Sequence, residues 1–180
     1  MISVLSYLLR YILEILLFLI TLWCINSISI LFHEMGHAIA YVIATKDNNW
    51  LIQIGKGKTI FKFKKFIIKA TPVGGYFQEL NNNVFDSKNK EIAMLVCGPL
   101  FSLILLMLLI ALKLNINIVE TNIIAIDTIF YFINYSIAFN LLSLILSIIP
   151  SHFKILGLDD YTSDGLQILR LMRRSSQSTK

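Results

Sequence analysis

His33, Glu34 and His37 stand within the run LFHEMGHAIA at residues 31–40. On an α-helix, residues four apart share a face, so the two histidines can offer ring nitrogens to one metal ion. Glu34 projects roughly 100° round from His33, near enough to reach a metal-held water without ligating. Two imidazoles and one carboxylate base are the parts of a hydrolytic zinc site, which needs a third protein ligand and an open position for water. Accidental matches to this spacing arise mostly in charge-rich soluble chains. Here the flanking residues are apolar in both directions, and a polar group in a membrane helix is costly without a partner or a task. The setting favours a metal.

Several residues compete for the third ligand position. An HExxH helix that continues to a further histidine would need Gly at 40 and His at 43, and the chain has Ala40 and Ile43. Glu79, Glu91 and Glu120 lie in or beside loops. His152 follows Pro150 and reads as a structural or interfacial histidine. Asp127 lies in an apolar block on the far side. Asp159, Asp160 and Asp164 come just after the last apolar block. Of these, Asp164 precedes Gly165 and the short amphipathic stretch GLQILRLMRR. An Asp-Gly step lets the chain turn tightly and point the carboxylate back toward the helices.

The elements that must position these groups are membrane helices. Of 180 residues, 56% are hydrophobic and only 15% are charged, outside the usual soluble range. Apolar material falls in blocks at about 1–45, 92–112 and 123–150, and about 20 residues suffice to cross a bilayer. The first block reads as one long helix over about 7–45, because no Gly or Pro marks a turn. The alternative is two helices broken near Asn26–Ser27, giving a fourth span. No small-residue cleavage site follows the apolar run, so it is not read as a signal peptide. Cys24 and Cys97 stand singly in apolar blocks and indicate buried thiols, not a disulfide framework.

Residues 50–78 differ in kind. The stretch alternates apolar and charged residues, notably in FKFKKF, and Gly55, Gly57, Gly74 and Gly75 punctuate it. That is the pattern of short strands and hairpins, predicting a small sheet that caps the helices. Lysines crowd residues 46–90, and the tail after 150 is basic again, whereas the stretch after the second block has Lys113 beside Glu120. The positive-inside bias therefore places 46–91 and 151–180 in the cytoplasm. The net charge of +5 reads as topology and attraction to lipid headgroups. It does not indicate nucleic-acid binding, since no basic stretch surrounds a recognition fold. The tail from Arg173 onward is expected to be disordered.

The expected fold class is an all-α membrane protein, a single domain over 1–180. It has a three-helix transmembrane core, a β insertion at 50–78, and an Asp-Gly loop, short helix and basic tail at 151–180. Four pieces in order, FHEMGHA at 32–38, PVGGYF at 72–77, CGPL at 97–100 and SDG at 163–165, resemble the site-2 protease family of intramembrane zinc metalloproteases. The resemblance spans residues 32–165. It implies one zinc ion held by His33, His37 and Asp164, with Glu34 as base. It also implies a multi-pass protein of the cell membrane that cleaves membrane-anchored regulators, signal-peptide remnants or peptide precursors.

Two positions depart from the family pattern. Its usual Asn after Gly-Pro corresponds here to Ser102, and its Asn-x-x-Pro to SIIP, where Ser147 stands with Asn140 seven residues earlier. Asn140 or Ser147 would then assist the oxyanion, and either serine also suits ordinary helix packing. An unwound substrate needs partners for its freed backbone groups at membrane depth, which a strand edge with Gly74 and Gly75 can supply. The expected partners are a membrane-embedded protein or peptide substrate, the lipid bilayer and an accessory membrane protein that selects substrates. Two other classes compete: a catalytically silent zinc-binding regulatory or immunity protein on the same scaffold, and a transporter or structural membrane protein with a chance motif. Retention of Glu34 argues against the silent form.

Overall fold

The computed structural model describes residues 2–81, 85–118, 124–153 and 161–177. Helix α1 runs over Ile2–Thr45, β1 over Trp50–Phe63, β2 over Phe66–Glu79, α2 over Lys88–Ile118 and α3 over Ile124–Ile148. The two-residue strands β3 (His152–Phe153) and β4 (Tyr161–Thr162) pair with each other and lead into α4, Asp164–Gln177. Three helices are long and apolar enough to cross a membrane, over Val4–Thr45, Lys88–Ile116 and Asp127–Ile148. The first apolar block is thus one unbroken helix. Its 44 residues rise about 66 Å, roughly twice the hydrocarbon thickness of a bilayer. Residues 4–20 are exposed throughout. The helix gains partners from Phe18 onward, whose ring meets Tyr131 and Phe132 of α3.

Small residues let the helices close up. A Cβ on Gly36 would stand 2.3 Å from the Cys97 carbonyl oxygen of α2. Glycine there lets the two backbones meet, as small residues do where apolar packing against lipid provides no drive. Along α3, Tyr135 donates to Asn26 and the Asn140 amide donates to Ser29 Oγ at 2.9 Å and to the Ser136 carbonyl. These bonds satisfy polar groups among the apolar side chains of the helices.

The sheet departs from the cap expected of it. Ile52, Gln53 and Ile54 pair on one side with Phe77, Tyr76 and Gly75 and on the other with Phe66, Ile67 and Ile68. Phe61, Lys62 and Phe63 pair in turn with Ile68, Ile67 and Phe66. Both strands are folded, so four short rungs lie side by side in the order 61–63, 66–68, 52–54, 75–77. The bends fall where Gly55, Gly57 and Gly74 take positive φ, a region open to glycine. Trp50, Ile52 and Ile54 bury their side chains against Ile30, Ala38 and Tyr41 of α1. At its inner end, the Trp23 indole donates to the Ala70 carbonyl at 2.8 Å. Roughly 33 Å of helix separates Trp23 from Thr45, so the sheet lies along α1 within the length of its apolar span. The alternation reports a buried face only at Trp50–Ile54, where the burying surface is the side of a helix and not the end of a bundle, whereas Phe61 and Phe63 in FKFKKF are exposed.

The C-terminal element is also longer than expected. α4 continues through Arg173 to Gln177, because its amphipathic pattern packs on α2 and α3 and basic residues near a helix C-terminus suit the dipole.

Candidate metal centre

His33 and His37 face the inside of the helix packing from one side of α1, both buried. Each is oriented through its other ring nitrogen. His37 Nδ1 lies 2.9 Å from the Met94 carbonyl, to which it can only donate, so its neutral ring leaves Nε2 as a lone pair. His33 Nδ1 lies 2.9 Å from Ser102 Oγ. Outer partners of this kind fix the tautomer and ring angle of a metal ligand. Pro99 lies in the next turn of α2, where its missing N–H leaves the Leu95 carbonyl, next to Met94, without its helical donor. Gly98 supplies the space: a Cβ there would stand 2.2 Å from His37 Nε2 and 2.9 Å from His33 Nε2. Gly98 thus makes room for the imidazoles, and the Met94 carbonyl orients one of them.

Asp164 arrives on the first turn of α4, 131 residues after His33. Ser163 caps that helix, accepting from the Leu166 amide at 3.2 Å, and its hydroxyl donates to the Ile149 carbonyl at the end of α3. A Cβ on Gly165 would stand 1.9 Å from the Ile148 carbonyl oxygen. Gly165 therefore serves close approach of α4 to α3, in place of the tight turn expected of an Asp-Gly step. Ser147 Oγ donates to Asp164 Oδ2 at 2.7 Å. Burial works against ionisation of Asp164, but hydrogen bonds and charge from His33 and His37 in their protonated forms outweigh it and hold the carboxyl well below its ordinary range.

The three donor atoms converge. His33 Nε2 lies 3.1 Å from Asp164 Oδ2, His37 Nε2 lies 3.4 Å from Asp164 Oδ1, and the two Nε2 atoms are 3.2 Å apart. Ligands around a tetrahedral ion with bonds near 2.0–2.1 Å sit about 3.3 Å from one another. The donor set and its spacing fit a divalent metal, and His33, His37 and Asp164 are all buried. Glu34, also buried, lies in the same cleft with its carboxyl near the Phe77 amide. Gly75 gives it room, since a Cβ there would stand 2.4 Å from Glu34 Oε1. The cleft holds about 310 Å³ and is also walled by Gly75, Tyr76 and Phe77 of β2 and by residues of α4. Among the described residues, no strand pairs with the outer edge of the 75–77 rung.

The remaining expected residues fall as follows. Gly74 is at the bend in β2 and Gly75 borders the cleft. Asn140 is turned toward Ser29 of α1, and Ser147 toward Asp164. His152 lies on β3 in contact with Arg170 and Thr162, away from the cluster. Asp127 is exposed at the start of α3, and Glu79 is on the last residue of β2. Glu120, Asp159 and Asp160 lie outside the described residues. Sequence reasoning assigned no role to Ser163, Gly98 or the Met94 carbonyl. Only the Gly-Pro and Ser-Asp-Gly runs hinted at them.

No curated protein matches the chain. The model of Peptidase family M50 matches residues 21–158, which include the HExxH helix, β1, β2 and the Gly-Pro segment and stop short of Asp164. The match covers most of the 180 residues, and on it the chain belongs to Peptidase family M50, the site-2 protease family.

Proposed function

We propose that the protein is an intramembrane zinc metalloendopeptidase that hydrolyses peptide bonds in or near transmembrane segments of membrane-anchored regulators, signal-peptide remnants or peptide precursors. The observation that carries this reading is Glu34 sharing one buried cleft with the His33, His37 and Asp164 donors. Zinc held by those three residues would polarise the scissile carbonyl and lower the pKa of water toward neutrality. Glu34 takes the proton of the attacking water and returns it to the leaving amine. Ser147, Ser102 and the Met94 carbonyl keep the ligands aimed, so that little reorganisation is needed during reaction. The free edge of β2 at Gly75–Phe77 accepts the unwound substrate as an added strand, which gives its backbone groups partners away from water. The substrate enters from the cytoplasmic side, to which the positive-inside bias assigns residues 46–91, and an accessory membrane protein presents it.

The test uses detergent-purified protein and membrane-anchored reporter helices reconstituted in vesicles. About one zinc per chain is expected in wild type and in Glu34→Gln, with loss in His37→Ala and Asp164→Ala. Reporter cleavage is expected in wild type alone; Glu34→Gln lowers it by about 10²–10⁴-fold. Absence of zinc after metal is supplied would overturn the reading. Zinc without any cleavage across the reporters would replace it with the silent regulatory form.

A further inference from the structure

The cleft has a second wall of which the chemistry above uses Asp164 alone. Asp164, Gln167 and Arg170 of α4 all line it, opposite Gly75, Tyr76 and Phe77 of β2. Gln167 and Arg170 also line the adjoining stretch of groove, which continues to Glu79 and Glu91. β2 and α4 therefore form two sides of one trough that starts at the donor cluster. On a helix Arg170 stands about 9 Å beyond Asp164, a span of about three residues of extended peptide.

Arg170 is the one lysine or arginine among the described residues that line this trough. Carboxylates stand at both ends, Glu34 and Asp164 by the cluster and Glu79 and Glu91 beyond. The guanidinium is held in place by His152, whose Nε2 accepts from Nη2. His152 is itself tied to Thr162 by strand pairing. His152 occupies one of the five guanidinium donors of Arg170, which lines the trough. A planar fork of this kind fits a carboxylate through two parallel bonds. A substrate carboxylate placed elsewhere along the trough meets like charge instead, which penalises other registers.

Resting on the protease reading, we propose that Arg170 is a specificity-determining residue that receives an acidic side chain of the substrate about three residues from the scissile bond, on the side toward Glu79. The experiment starts from reporter helices that wild type cleaves and Glu34→Gln does not, so failure at that step concerns the protease reading and not Arg170. Asp or Lys is then placed singly at each position within five residues of the cut, and kcat/KM is measured. At one position about three residues away, Asp is expected to exceed Lys by about tenfold or more. The ratio should approach one in Arg170→Gln and invert in Arg170→Glu. A flat wild-type scan overturns the proposal, as does a preference that survives both variants while they retain zinc. If a variant fails to hold zinc, the wild-type scan decides alone.

Discussion

Replacing Gly98 with alanine tests whether the helix crossing, and not only the ligands, makes the metal centre. The added methyl would stand 2.2 Å from His37 Nε2 and 2.4 Å from its Cε1. Ordinary contact needs roughly 3.5 Å, so the ring or the helix must shift by more than about 1 Å. A shift of that size also strains the 2.9 Å bond from His37 Nδ1 to the Met94 carbonyl. Metal sites tolerate about 0.2 Å, and loss of an outer partner alone costs about 10–100-fold in affinity. Gly98→Ala is therefore expected to weaken zinc binding by at least about 100-fold. The helix itself gains, because alanine exceeds glycine in helix propensity by about 1 kcal/mol. The assay is zinc affinity in detergent by competition with a chromophoric chelator, with circular dichroism to verify helix content. Wild-type affinity in a helical Gly98→Ala protein would refute the argument that this glycine is space for the imidazoles.

Three further outcomes follow from the same geometry. Ser147→Ala removes the 2.7 Å bond to Asp164 Oδ2 and should lower zinc affinity about 10–100-fold in the same competition assay; an unchanged value would mean Asp164 is held without it. Asn140→Ala removes the bonds to Ser29 and Ser136, so it should cost about 1 kcal/mol in denaturation in mixed micelles while zinc per chain stays constant. Loss of zinc instead would place Asn140 in the metal centre. Trp23→Phe deletes the bond to Ala70 and should speed amide exchange at 55–58 and 70–72 with little change near Tyr41; uniform exchange rates would mean the indole does not pin the sheet.

Much of the architecture was legible because it is local. A membrane span declares itself by an apolar run, and the absence of Gly or Pro near Asn26–Ser27 foretold one unbroken α1. The alternation in FKFKKF foretold strands because side-chain period is a property of neighbouring residues. Where those strands would lie was not legible. Alternation says that one face is buried, and the Trp23–Ala70 bond and the packing of Ile52 and Ile54 on Ala38 and Tyr41 reveal what buries it. The end of α4 was misjudged for a similar reason, since its basic residues look like a solvated tail until the helix has α2 and α3 to lie on.

The candidate site divides along the same line. His33, Glu34 and His37 occupy less than two turns of one helix, so their common direction follows from the 3.6-residue period of the backbone alone. Asp164 joins them only because α3 ends beside the HExxH turn and Gly165 lets α4 press on Ile148, a placement set by packing between residues far apart in the chain. The roles of Ser147, Gly98 and the Met94 carbonyl were likewise decided by tertiary contacts, since a hydrogen bond or an excluded methyl depends on distances that no local spacing contains. Sequence alone placed His33, Glu34 and His37 on one helix; the fold brought Asp164 to them and set β2 and α4 as walls of the cleft, because those placements depend on packing between residues far apart in the chain.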